Sequence, residues 1–318
     1  MTESSVMWMR RIAAAGAILT LAGGSLTACT IGHQGTAAES SETAVEEHHE
    51  PATISVEDGA EEVEPGEPVT VTIGEREFRT RVDRSGLLDL TITDHGLEPG
   101  WHDLQISSPR AADTTAAVFI VAPGETFGIV SDIDDTIITT TMPRPMIAAW
   151  NTFFRHEGTR RAVPGMATMY RELLAEHPGA PIVYVSTGAW NLVPALTRFL
   201  RRAGYPLGPM LMTDWGPTNT GWFRSGQDHK RACLHRLARE LPEVRWVLVG
   251  DDGQHDPSLY GEFAEQRPDR VRAIGIRVLS ATEQLLSHFT PIATDDYEQH
   301  VGTDLPICRA ADGYTMFE

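Results

Sequence analysis

Lysine is almost missing from this 318-residue chain: the total of 26 basic residues includes one lysine, Lys230, and the rest are arginine. Between Ile12 and Glu75 there is no Lys or Arg at all, while twelve acids lie between Glu39 and Glu75. With a formal charge of −18 the chain offers no basic footprint for a nucleic-acid backbone, and this reading excludes nucleic acid as a partner. Cysteine is scarce too. Cys29, Cys233 and Cys308 are too few for a disulfide framework, and no pair has metal-ligand spacing. Long apolar runs are lacking: the uncharged stretch Ile12–Leu26 is broken by Gly16, Gly23, Gly24 and Ser25 and makes a poor membrane span. What remains, 41% hydrophobic residues with 28 Gly and 20 Pro, suits one ordinary domain plus a smaller one and excludes a disordered or collagen-like chain.

The start of the chain has the form of a secretory signal, with Arg10-Arg11, an apolar stretch, then Leu26-Thr27-Ala28-Cys29. With Cys directly after small residues it resembles the lipobox of bacterial lipoproteins. That resemblance implies a signal peptide over 1–28, an acylated Cys29 as first mature residue, and an extracytoplasmic, lipid-anchored location. A plain anchor or export signal and a cytosolic chain are the alternatives. Residues 29–67 are acidic, lack apolar runs, and read as a solvated tether.

From Val69 apolar and polar residues alternate. Val69–Ile73, Leu88–Ile92, Trp101–Ile106 and Ala116–Val121 read as half-buried strands separated by turn signals, which predicts a small antiparallel β-sandwich over 68–124. It carries no catalytic constellation. From Phe127 the period changes. The apolar runs Phe127–Val130, Ile182–Val185, Trp246–Val249 and Ala273–Ile276 alternate with helical patterns over Gly165–His177, Asn191–Ala203, Asp228–Leu241 and Pro257–Ala264. Strand alternating with helix predicts an α/β domain, 125–281, with a parallel sheet covered by helices on both faces. Residues 282–318 are set apart as a C-terminal extension.

In such sheets ligands sit beyond the carboxyl ends of the strands. There the sequence places Ser131-Asp132-Ile133-Asp134-Asp135-Thr136, Ser186-Thr187-Gly188 and Gly250-Asp251-Asp252-Gly253-Gln254-His255-Asp256, and the next helix opens on Asp228-His229-Lys230. Acids crowded in a low-dielectric cleft repel one another, and the usual resolution is a divalent cation. Hard oxygen donors without a His/Cys cluster point to Mg²⁺. A cation, one ammonium and one hydroxyl suit a dianionic phosphate. That the chain's only lysine stands here favours a compact point charge over arginine's planar fork.

These residues resemble the haloacid dehalogenase phosphatase superfamily. Its four motifs read here as Asp132/Asp134/Thr136, Ser186, Lys230 and Asp251/Asp256. The longer strings, Phe127 to Thr136, Val163-Pro164-Gly165, Tyr184-Val185-Ser186, Asp214-Trp215-Gly216 and Gly250 to Pro257, are similar to one subfamily, the App1-type phosphatidate phosphatase domain, related to lipins. Asp252 stands where that pattern has Ser. The resemblance implies a HAD-like (Rossmannoid) fold, a nucleophilic Asp132, an Asp134 that acts as acid and then base, and phosphate binding by Thr136, Ser186 and Lys230. It further implies Mg²⁺ held by Asp132, Asp134, Asp251 and Asp256, with Asp134 contributing its backbone carbonyl. Asp135 and Asp252 read as solvated loop acids, with metal ligation as the alternative.

Met146, Ile147, Trp150, Phe153 and Phe154 recur at helical spacing after the first motif. They read either as core or as a substrate cap for acyl chains or a membrane surface. The leading expectation is a phosphatase converting phosphatidate to diacylglycerol. The alternatives are a phosphatase for a soluble phosphomonoester and a surface-binding protein with an idle centre.

Overall fold

The computed structural model describes residues 6–10, 18–22, 25–29, 66–82, 88–93, 95–109, 111–139, 161–213, 226–253, 255–288 and 305–317. It divides into two units, Met1–Val121 and Ala122–Glu318. The segments expected to form the signal, lipidation site and tether fall in the first unit. Of these, only the backbone of strands β1 (Val6–Arg10), β2 (Ile18–Ala22) and β3 (Ser25–Cys29) and the final residues 66–67 are described. No helix among the described residues is long and apolar enough to cross a membrane.

The rest of this unit is β4 (Pro68–Ile73), β5 (Arg76–Arg81), β6 (Asp89–Thr93), β7 (Gly100–Ser108) and β8 (Ala111–Ile120). In β4 the alternation works as expected, with Val69, Val71 and Ile73 buried and the residues between them partly exposed. Strand β5 is an addition to the sequence reading. Its Arg-Glu-Phe-Arg-Thr-Arg has one apolar residue because it is an exposed edge. The expected sandwich of two sheets is corrected to one eight-stranded sheet ordered β5-β4-β7-β8-β2-β3-β1-β6. Most pairings are antiparallel, but β1–β3 and β2–β8 are parallel. Val71 near one edge, Leu104 and Val118 in β7 and β8, and Leu88 and Ile92 at the far edge share one core. A single sheet therefore curls over its own apolar face.

The second unit is built on six parallel strands ordered β13-β12-β9-β14-β15-β16. They are β9 (Phe127–Asp132), β12 (Ile182–Ala189), β13 (Met210–Thr213), β14 (Arg245–Asp251), β15 (Val271–Arg277) and β16 (Ile307–Ala310). The intervening helices are α1 (Met166–Ala175), α2 (Val193–Ala203), α3 (Gly226–Glu240), α4 (Asp256–Gln266) and α5 (Ala281–His288). Every residue of β9 is buried, which is why the sequence shows continuous apolar runs instead of alternation. The chain starts at β9, builds outward through β12 to β13, then returns to pair β14 on the other side of β9. That reversal is a switch point, where a crevice opens at the strands' carboxyl ends. The C-terminal residues set apart at 282 supply α5 and the edge strand β16, which pairs with β15 through Ile274↔Ile307 to Arg277↔Ala310. Two short strands, β10 (Ile138–Thr139) and β11 (Arg161–Ala162), pair antiparallel and bring together the ends of segment 140–160. The cap candidates Met146, Ile147, Trp150, Phe153 and Phe154 lie in that segment, outside the described residues.

Candidate active site

Asp132 is the last residue of β9 and Asp251 the last of β14, its neighbour in the sheet. Asp256 opens α4 and Lys230 lies in the first turns of α3. Strand ends and helix starts thus bring together residues that the chain separates by more than a hundred positions. One carboxylate oxygen from each of Asp132, Asp251 and Asp256 lies within 4.8 Å of the others, and all three residues are buried.

Lys230 is locked among them, its Nζ 2.7 Å from Asp132 Oδ1 and 2.5 Å from Asp256 Oδ1. Burial on its own would lower the ammonium's pKa. The charges of Asp132, Asp256 and Asp251 outweigh that and hold it above the ordinary lysine value. The carboxylates are shifted the same way, but for them a raised pKa disfavours the charged form. Burial, then the neighbouring Asp256 and Asp132, push Asp251 well above the usual carboxylate range. Asp256 is pushed up to about 6 by burial; Lys230 opposes this and Asp132 adds to it. The cluster therefore holds more negative charge than one ammonium balances.

Local geometry explains the motif spacing. Thr136 Oγ1 donates to Asp132 Oδ2 at 3.2 Å, so Thr136 steadies the carboxylate instead of facing open space. Asp134, two residues beyond Asp132, stands apart from the three-acid group and accepts a 3.1 Å hydrogen bond from Ser186 Oγ at Oδ2. Ser186 Oγ itself accepts from Gly188 N at 2.9 Å. Asp251 Oδ1 accepts from Gly253 N at 2.8 Å, which fixes the turn after β14. The glycine before Asp251 is required by close approach: a Cβ on Gly250 would stand 2.5 Å from Asp256 Oδ2.

Asp135 and Asp252 are not the solvated acids that the sequence suggested. They are 2% and 3% exposed. Asp252 Oδ1 accepts from Leu279 N at 2.8 Å while its own N–H donates to Arg277 O at 3.0 Å, tying the loop after β14 to the end of β15. Asp135 stands at φ 60°, and its N–H donates to Ile138 O at 2.9 Å. The sequence reading passed over Arg277, whose Nη1 donates to Asp135 O at 2.6 Å. Its one sequence signal is a guanidinium that ends the apolar run Ala273–Ile276.

The donor set fits a divalent cation. Three carboxylates converge, none of the group is His or Cys, and no donor among the described residues reaches the buried Asp256 Oδ2. Asp132, Asp251 and Asp256 are the residues that could hold such an ion. The side chain of Asp134 is directed to Ser186.

Residues 127–278 match the family described as phosphatidate phosphatase APP1, catalytic domain. The chain is similar to phosphatidate phosphatase APP1 of Saccharomyces cerevisiae, 28% identical over 156 residues, which is 48% of this chain and 26% of that protein. It is also similar to an uncharacterized protein of Schizosaccharomyces pombe, 26% identical over 150 residues, 47% of this chain and 24% of that one. The chain thus spans about a quarter of the length of these curated relatives. A carbohydrate acetylesterase from Xanthomonas citri aligns with a TM-score of 0.27 and 11% identity over 71% of this chain and 67% of that chain, too slight a likeness to carry an argument. The family match covers strands β9 to β15 and every residue of the acid–lysine cluster, so that over residues 127–278 this chain is similar to the App1-type phosphatidate phosphatase catalytic domain.

Proposed function

We propose that this chain is a Mg²⁺-dependent phosphatidate phosphatase of the haloacid dehalogenase type, releasing diacylglycerol and phosphate through an aspartyl-phosphate. The observation that carries the reading is the convergence of Asp132, Asp251 and Asp256 around Lys230 at the switch point of a parallel sheet. Mg²⁺, when bound, neutralises carboxylate and phosphoryl charge and makes phosphorus more electrophilic.

Asp132 is the nucleophile. Thr136 fixes its Oδ2 and Lys230 faces its Oδ1, so the carboxylate is presented in one orientation. Its oxygen bonds to phosphorus as the bond from phosphorus to the glycerol oxygen breaks. Asp134 gives its proton to that leaving oxygen. Water then attacks the aspartyl-phosphate, Asp134 takes up a proton from it, and phosphate departs with the Asp132 carboxylate restored. Ser186 exchanges its bond to Asp134 for one to a phosphoryl oxygen, and Lys230 supplies positive charge to the same group. In this reading Cys29 is acylated and holds the domain outside the cytoplasm against a lipid surface, with Met146, Trp150, Phe153 and Phe154 as the cap for acyl chains.

Phosphate release from phosphatidate vesicles, compared with release from a panel of water-soluble phosphomonoesters, tests the reading. Expected is preference for the vesicles, loss of activity in EDTA and recovery with Mg²⁺. Asp132→Asn lowers turnover by roughly 10⁴-fold or more. Preference for soluble esters removes the lipid assignment, and full turnover by Asp132→Asn removes the nucleophile. Palmitate labelling that persists in Cys29→Ser removes the lipid anchor.

A further inference from the structure

Arg277 ends β15 beside Asp251, with which it is paired in register. Its buried guanidinium grips three separate pieces of chain. Nη1 donates to Asp135 O at 2.6 Å, Nη2 meets Glu283 Oε1 of α5 at 2.6 Å, and Nε donates to Ala311 O, just past β16, at 3.1 Å. Asp135 holds φ 60°, a left-handed conformation that costs any residue with a Cβ. It lies between Asp134, bonded to Ser186, and Thr136, bonded to Asp132. Rotation at Asp135 would move both neighbours away from those partners. A second carbonyl of the same turn, Ile137 O, accepts from the buried Tyr205 OH at 3.0 Å.

Arg277 is anchored from beyond the family match, which stops at residue 278. Independent contacts fix that C-terminal anchor. Val278 N donates to Ala310 O at 2.7 Å and Gly313 N donates to Pro164 O at 2.9 Å. A Cβ on Gly165 would stand 2.4 Å from Tyr314 N, so the chain after β16 is seated directly on the turn that starts α1. Ala311 O is a fixed acceptor.

We propose that Arg277 is a positioning residue for phosphoryl transfer: it holds the Asp135 carbonyl from a base built by α5 and the residues after β16, and so keeps Asp134 and Thr136 aimed at their partners. Helix α5 and residues 305–317 are then a working part of the catalytic unit. The proposal rests on the reading of Asp132 as nucleophile and Asp134 as acid.

The test measures kcat and KM on p-nitrophenyl phosphate, Tm, and amide hydrogen exchange over residues 132–139 in the full chain. Arg277→Met lowers kcat by about 100-fold, the scale of a small misplacement near the chemistry, with KM within about twofold because Arg277 bonds to loop and helix groups instead of the acid–lysine cluster. Arg277→Lys, which keeps one donor, retains more kcat. Adding Asp135→Gly to Arg277→Met recovers at least about fivefold, since glycine takes φ 60° unaided. The control is Arg245→Gln, which removes a bond of the same kind, to Val271 O, at the amino ends of β14 and β15 and so at the opposite edge of the sheet from the cluster; it shifts Tm and leaves kcat unchanged. Exchange over 132–139 speeds up in Arg277→Met and not in Arg245→Gln. An unchanged kcat in Arg277→Met, or a loss that Asp135→Gly fails to relieve, overturns the proposal. If Arg277→Met does not fold, Arg277→Lys and Glu283→Gln decide it, with reduced kcat at constant KM expected and unchanged kcat fatal. Full turnover by Asp132→Asn, or no hydrolysis by the wild type, sinks the functional reading alone. Loop exchange then still judges Arg277, and an unchanged rate rejects it.

Discussion

The two units bury different chemistry. Among the described residues, the β unit buries two polar or charged side chains, Glu67 and His95, against a core of Val, Ile, Leu and Ala. The catalytic unit buries thirteen, nearly all at the carboxyl ends of its strands or hydrogen-bonded to residues there. Burying apolar surface stabilises, whereas removing charges from water costs several kcal/mol per ion unless partners offset it. The β unit is therefore optimised for folding. The catalytic unit sacrifices part of its stability to hold a strained, highly charged edge, which is the pattern expected where structure serves reactivity.

This contrast can be broken or sharpened experimentally. The largest effect belongs to Lys230→Arg. The charge is kept, but the planar fork does not fit between Asp132 and Asp256, and kcat falls about 10²–10³-fold; retention of activity within tenfold would show that charge alone suffices. Leu104→Ala in the β unit costs about 2–5 kcal/mol by denaturant melting while kcat stays unchanged. A drop in kcat would mean that the two units are not separable in role.

A subtler effect is on pH dependence. Asp256 is raised to about 6 by burial, so without metal its contribution to stability is greatest at low pH, where it is neutral. That contribution is lost as pH rises through about 6, because the folded state must then carry a buried charge. Divalent cations need the ionised form, so the Tm gain from Mg²⁺ is small at pH 5 and grows to pH 7.5. A gain independent of pH would place the ion away from this cluster. The smallest effect is expected of Asp252→Asn. Its Oδ1 still accepts from Leu279 N, Arg309 is 3.8 Å from Oδ2, and turnover and Mg²⁺ affinity stay within about twofold. A large loss of affinity would make Asp252 a ligand.

The principal strands of the parallel sheet were legible because burial on both faces forces apolar runs, and the motif acids were legible because they follow those runs directly. Strand β16 was not, since Ile307-Cys308-Arg309-Ala310 is a short, half-exposed edge with no distinctive pattern. β5 was missed for a related reason: its residues are charged because water, not a second sheet, faces them. Asp135 and Asp252 illustrate a different limit. An acid in a loop has the same letters whether it meets solvent or a backbone N–H, and only the fold reveals that Asp252 serves Leu279. Arg277 was hidden because its acceptors, Asp135 O and Ala311 O, are backbone atoms that any residue type would present.

Lys230 is the chain's only lysine and is 3% exposed. Apart from an amino terminus, the molecule therefore has a single primary amine, and it sits at the centre of the chemistry. Acylation or reductive methylation of that amine needs the clamp of Asp132 and Asp256 to open. The rate at which an amine-selective reagent labels this side chain thus becomes a clock for opening of the pocket, with no engineered probe and no background from other lysines.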